Sequence, residues 1–190
     1  MNKILPVQTP IIDATIHQAM IFSVMPMYEE CIPWLINNYV SLFCLKNLYK
    51  QKLNRQGSVD FFYSLYGDWS MFEFSANPWL DYEALTFSAI LDNDIDLIPF
   101  LENAINEDKY LHISIDWFYL PMYRQYHKDH GMHHLFINGY DSDKRIFYAH
   151  DTYKDGRYED AEVRYEDLKL SFEQLANDVE TKNSWHLGLF

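Results

Sequence analysis

Basic residues, cysteines and long apolar runs are all scarce in this chain, and each scarcity closes off a class of function. Lys and Arg number 15 against 28 Asp and Glu, giving a formal net charge of −13 over 190 residues. No dense Lys/Arg cluster offsets this anywhere, so phosphate backbones and anionic headgroups are repelled and neither nucleic acid nor membrane is expected as a partner. The same acidic surface favours solubility first and the steering of cationic substrates second. No stretch of about 18 apolar residues is present to span a bilayer. There are two cysteines, Cys31 and Cys44. They fall in one run read as helical, where a rise of about 1.5 Å per residue holds them roughly 20 Å apart, too far to bridge. Reduced thiols and an N-terminus, MNKILPVQTPIID, without an apolar signal core lead us to expect a cytoplasmic protein. No internal repeat or low-complexity linker divides the chain, so residues 1–190 are expected to form one domain.

What is abundant is aromatic side chains: 15 Tyr, 13 Phe and 5 Trp make 17% of the residues, which argues for a packed core over disorder. Residues 1–27 read as an extended start with a short strand at AMIFSVM. In CIPWLINNYVSLFCLKNLYKQK the apolar positions Leu35, Ile36, Tyr39, Val40, Phe43, Cys44 and Leu48 recur at helical spacing. Pro33 is tolerated only in a first helical turn, which sets Cys31 at or beside the N-cap. Residues 57–80 mix aromatics with turn formers and are left open between strands and a short helix. LIPFLENAINED predicts a helix starting near Asp96. YLHISIDWFYLP alternates Leu111, Ile113 and Ile115 on one face of a strand that Pro121 stops. HHLFINGYD and RIFYAHD pair as a hairpin through Asp141–Lys144, and a short strand then precedes a helix around Tyr165–Val179. The class is α+β: a helical first half opened by a cysteine, then an antiparallel sheet bearing histidines.

That order suggests a chemistry. A thiol at a helix N-terminus faces unpaired N–H groups and the positive end of the helix dipole, which favour thiolate and can stabilise an oxyanion. A histidine at the start of a buried strand can serve as base, and a carboxylate on the next strand can fix its tautomer. The period of two separates His133, Leu135 and Ile137 from His134, Phe136 and Asn138. Asp151 ends the second strand, so Cys31, His133 and Asp151 form a candidate triad. Against this stands the ordinary role of a buried cysteine as a small core residue.

The arrangement Asp116, the Tyr119-Leu120-Pro121 step, His130 with His133 three later, Gly139-Tyr140-Asp141 and Asp151 resembles papain-like cysteine peptidases, especially the branch that removes bacteriocin leader peptides. It is most similar to the amino-terminal domain of the butirosin biosynthesis protein H family, over about forty residues, with Cys31 extending the likeness. The resemblance implies a papain-like fold with the cysteine helix packed on an antiparallel sheet. It selects His133 over His134 as base, Asp151 as orienting residue and Cys31 as nucleophile. The implied activity is acyl transfer through a thioester in secondary-metabolite biosynthesis, with an acyl- or peptidyl-carrier protein as donor, a small-molecule amine as acceptor and no cofactor. Asp116, Tyr119 and His130 are then candidates for substrate binding, although Asp116 can equally cap the turn that follows it.

The chain departs from that family at two places. Leader peptidases carry a glutamine six residues before the cysteine, where this chain has Met25, and Glu29-Glu30 oppose thiolate formation. A folded-back His17-Gln18 could supply the missing amide. The alternative reading is therefore a catalytically inactive papain-like module that binds a carrier protein or biosynthetic partner. A third reading takes HKDHGMHH, with His127, Asp129, His130, His133 and His134, as a zinc site. No H-E-x-x-H or cysteine pair supports it, and no metal is expected. The NSW of Asn183–Trp185 copies the letters around papain's orienting asparagine but lies fifty residues beyond His133, and is read as chance.

Overall fold

The computed structural model describes residues 1–13, 16–39, 42–44, 59–61, 77–154, 156–176 and 185–190. It is a mixed fold of helices and antiparallel sheet. The strands are β1 (Asn2–Ile4), β2 (Leu42–Cys44), β3 (Val59–Phe61), β4 (Glu83–Thr86), β5 (Leu111–Asp116), β6 (Met132–Asp141), β7 (Ile146–Thr152), β8 (Tyr158–Arg164) and β9 (Trp185–Leu189). The helices are α1 (Ile16–Val24), α2 (Ile32–Tyr39), α3 (Phe87–Leu91), α4 (Leu97–Asn106) and α5 (Tyr165–Ala176). Seven strands form one sheet in the order β4-β9-β5-β6-β7-β8, with β1 beside β6, while β2 and β3 pair separately.

At the centre, β5 is buried at every position, so both faces of the sheet are covered there. Leu111, Ile113 and Ile115 are wholly buried, each contributing about 1.5–3 kcal/mol of apolar transfer. The expected alternation holds in its apolar half, but His112 and Ser114 on the other face are buried too. α1 packs against β6 and β7, and α4 and α5 pack against β5.

The 10-residue β6 does two jobs. Met132 to Ile137 pair with β5, and Gly139 to Asp141 pair with β1, which continues the line of β5. The register with β7 shifts between Ile137 and Gly139. At that irregularity the Asn138 side-chain amide donates to the Leu5 carbonyl at 2.8 Å, and the Leu5 N–H donates back to the Asn138 carbonyl at 2.8 Å. Gly139 lets β1 approach: a Cβ there would lie 2.8 Å from the Lys3 carbonyl oxygen and 2.9 Å from the Ile4 Cα. The β6–β7 turn is held by Asp141, whose Oδ1 accepts from the N–H groups of Asp143 and Lys144, both at 3.1 Å.

Two expectations for the first half are corrected. AMIFSVM is not a strand but the body of α1, in which Gln18 to Val24 are all buried. A helix buried on every side shows no amphipathic period, so an apolar run this short reads equally as a strand. The long cysteine helix is also shorter than its pattern suggests. α2 ends at Tyr39, and Leu42–Cys44 is a strand paired with Val59–Phe61. Asn38 contributes to the stop: its side-chain amide donates to the Trp34 carbonyl at 2.8 Å, competing with the backbone for that acceptor. The expected continuation through Leu48, most of 57–80, and residues 177–179 of the last helix lie outside the described residues.

Candidate active site

His133, the second residue of β6, and Asp151, near the end of β7, meet across the hairpin with Nε2 2.7 Å from Oδ2. The same Oδ2 accepts a short hydrogen bond from the Tyr123 hydroxyl, and Oδ1 accepts from the Thr152 N–H at 2.7 Å. Asp151 is 1% exposed, and three donors replace the water its carboxylate loses on burial. Burial, with Asp151 beside it, pushes the Tyr123 hydroxyl well above its ordinary range, so it stays a donor. The imidazole of His133 stands between the rings of Trp117 and Tyr123, at centroid distances of 5.4 and 5.5 Å. With Nε2 committed to Asp151, Nδ1 is the nitrogen left to exchange a proton with a ligand.

Asp116, Tyr119 and His130 line one pocket of about 360 Å³, together with Gly131, Met132, Gln174 and Leu175. Within it Asp116 has several partners. Its Oδ1 accepts from the N–H groups of Phe118 and Gly131, both at 3.0 Å, and Oδ2 lies 2.7 Å from His130 Nδ1. It therefore caps the 3-10 turn Trp117–Tyr119 and anchors the far end of the loop. The His130 ring stacks on Phe118 at 3.9 Å, and its side chain is 62% exposed. The solvent-facing chemistry of this pocket thus belongs to His130 and Tyr119 more than to the carboxylate.

Cys31 closes a 3-10 turn, Glu29–Cys31, immediately before α2. Pro33 sits in the first turn of α2, as its missing N–H requires. The thiol is 5% exposed and shares a pocket of about 300 Å³ with Val24, Met25, Tyr28, Glu30, Trp79 and Leu80. Neither His133 nor Asp151 is among these lining residues. Burial, with Glu30 adding to it, pushes the Cys31 thiol up rather than towards thiolate. The donors that would serve an oxyanion are also engaged. The Cys31 N–H donates to the Tyr28 carbonyl at 3.0 Å, that of Ile32 to Glu29, and Pro33 has none.

α1 packs on β6 and β7, the strands that carry His133 and Asp151. Burial first, then His133, lowers the pKa of His17, the second residue of α1, to about 4, while Asp151 pulls the other way. Its ring contacts those of His112 and His134 at centroid distances of 5.0 and 5.1 Å. This three-histidine group was not foreseen. His112 reads as the polar half of a strand alternation and His134 as the rejected member of a pair. Comparison of the chain with models of known protein families, with curated proteins and with solved structures found no match. Among the described residues no helix is long and apolar enough to cross a membrane.

Proposed function

We propose that this chain is a papain-like binding module without cysteine catalysis, which holds a carrier protein or biosynthetic partner over the pocket that contains His130 and Tyr119. One observation carries the reading: the thiol of Cys31 and the His133–Asp151 pair have separate surroundings. A cysteine nucleophile needs a base within hydrogen-bond reach and donors for its oxyanion. Cys31 has apolar neighbours, an acidic one in Glu30, and turn N–H groups already bonded. The His133–Asp151 pair serves in this reading as a fixed polar element, its imidazole oriented by a buried carboxylate. A second reading, cysteine-dependent acyl transfer, draws its support from that same pair, because an oriented histidine with a free Nδ1 is the base such chemistry uses.

Alkylation by iodoacetamide as a function of pH, read by mass spectrometry in wild type and His133→Ala with Cys44 as a second thiol, separates the two. The binding reading expects slow modification of Cys31, with a pH profile indifferent to His133→Ala. Rapid modification of Cys31 well below the ordinary thiol pKa of about 8.5, lost in His133→Ala, would establish the acyl-transfer reading instead.

A further inference from the structure

His17, His112 and His134 come from three different elements, α1, β5 and β6, yet one ligand nitrogen from each lies within 4.8 Å of the other two. The strand register accounts for part of this. Ser114 pairs with His134 and His112 with Phe136, so both histidines stand on one sheet face, the face that α1 covers with His17. The rings of His112 and His134 approach to 4.6 Å. His112 is wholly buried, and the Nε2 of His17 is buried with no hydrogen-bond partner. Burying an imidazole nitrogen without a partner is costly, and a bound cation that accepts the lone pair of His17 Nε2 would offset that cost.

We propose that His17, His112 and His134 form a three-histidine site for a divalent transition metal ion, Zn²⁺ by preference, with a fourth position open to water or an exogenous donor. Tetrahedral Zn²⁺ with bonds of about 2.0–2.1 Å spaces its ligand atoms about 3.4 Å apart. Nitrogens already within 4.8 Å reach that spacing by side-chain rotation. An all-imidazole set selects borderline ions such as Zn²⁺, Ni²⁺ or Cu²⁺ over Mg²⁺ and Ca²⁺. The Oγ of Ser114 lies 3.2 Å from His134 Nδ1, so Nδ1–H can donate to it while Nε2 faces the ion, the outer hydrogen bond that orients a histidine ligand. Two other histidines of the HKDHGMHH run are tied elsewhere, His130 to Asp116 and His133 to Asp151, and only His134 joins the site.

The test uses the full chain with its affinity tag removed, stripped with chelator and titrated with Zn²⁺ against a chromophoric competitor. One equivalent of zinc should bind, X-ray absorption of the loaded wild type should count three imidazoles, and Co²⁺ should give the intense visible bands of a tetrahedral site. His17→Gln should weaken binding more than about 100-fold and Ser114→Ala within the 10–100-fold range of lost outer partners. His127→Ala should change nothing. Because His112 is in the core, the wild-type absorption spectrum and His17→Gln decide the matter without a core variant. Substoichiometric zinc, fewer than three imidazoles in the spectrum, or binding lost in His127→Ala and kept in His17→Gln would overturn the proposal. The outcome does not depend on whether Cys31 is reactive.

Discussion

Removing the carboxylate of Asp151 should be among the most damaging single changes to this protein. Asp151→Ala strands three donors at once: the buried Tyr123 hydroxyl, the part-buried Thr152 N–H and the partly exposed His133 Nε2–H. An unsatisfied buried donor costs about 1–3 kcal/mol and a less buried one correspondingly less, so the three together should cost about 3–5 kcal/mol, a large fraction of the about 5–15 kcal/mol a domain holds in total. Tyr123→Phe is the control. It deletes one donor and leaves Asp151 with His133 and Thr152, so it should cost only about 1 kcal/mol. Urea unfolding followed by tryptophan fluorescence reads both, with the midpoint shifting and the slope unchanged. If Asp151→Ala unfolds within about 1 kcal/mol of wild type, the carboxylate is not the organising group of this hairpin.

Other consequences can be checked with the same preparations. Gly139→Ala places a methyl against the backbone of Lys3 and Ile4; β1 should detach or shift at a cost of about 1–3 kcal/mol, seen as faster proteolysis near the N-terminus, whereas unchanged proteolysis would contradict the close approach. Burial lowers the pKa of His150 despite the opposing pull of Asp160. The unfolded chain therefore binds the proton more readily, stability is full above the unfolded value of 6.5 and falls as pH drops below it. His150→Gln should flatten that part of the urea-midpoint profile between pH 7 and 5.5, and an unchanged slope would refute the assignment. Zinc at a hundred times its dissociation constant should stabilise the chain by about 2.7 kcal/mol, raising the thermal midpoint by about 5–10 °C at this chain length.

Much of the second half was legible because its elements carry local signals. The turn chemistry around Asp141, the period of two in β6 and β7, and the apolar spacing from Leu97 to Ile105 each specify their element without help from the rest of the fold. The first half was not legible for the opposite reason. α1 is buried on all sides and has no polar face to reveal its period, and Asn38 helps end α2 inside a pattern that continues to Leu48. The site followed the same division. The period of two put His133 and His134 on opposite faces and the hairpin carried Asp151 towards the start of β6, but the choice of His133 as its partner came from the resemblance. The position of Cys31 depended on which helix lies against that hairpin, a tertiary fact. His112 and His134 pointed to each other only through the β5–β6 register, and to His17 only through the docking of α1.

The separation of Cys31 from His133 is the central claim, and the thiol's own titration tests it most directly. With Cys31 labelled at Cβ, the carbon chemical shift followed from pH 5 to 10 reports thiolate formation in wild type and in His133→Ala. The account expects Cys31 to titrate above the ordinary thiol range, as burial and Glu30 require, with the same midpoint in both proteins. A midpoint below neutrality in wild type that rises in His133→Ala would mean that the thiol and the imidazole form a pair, and would contradict it.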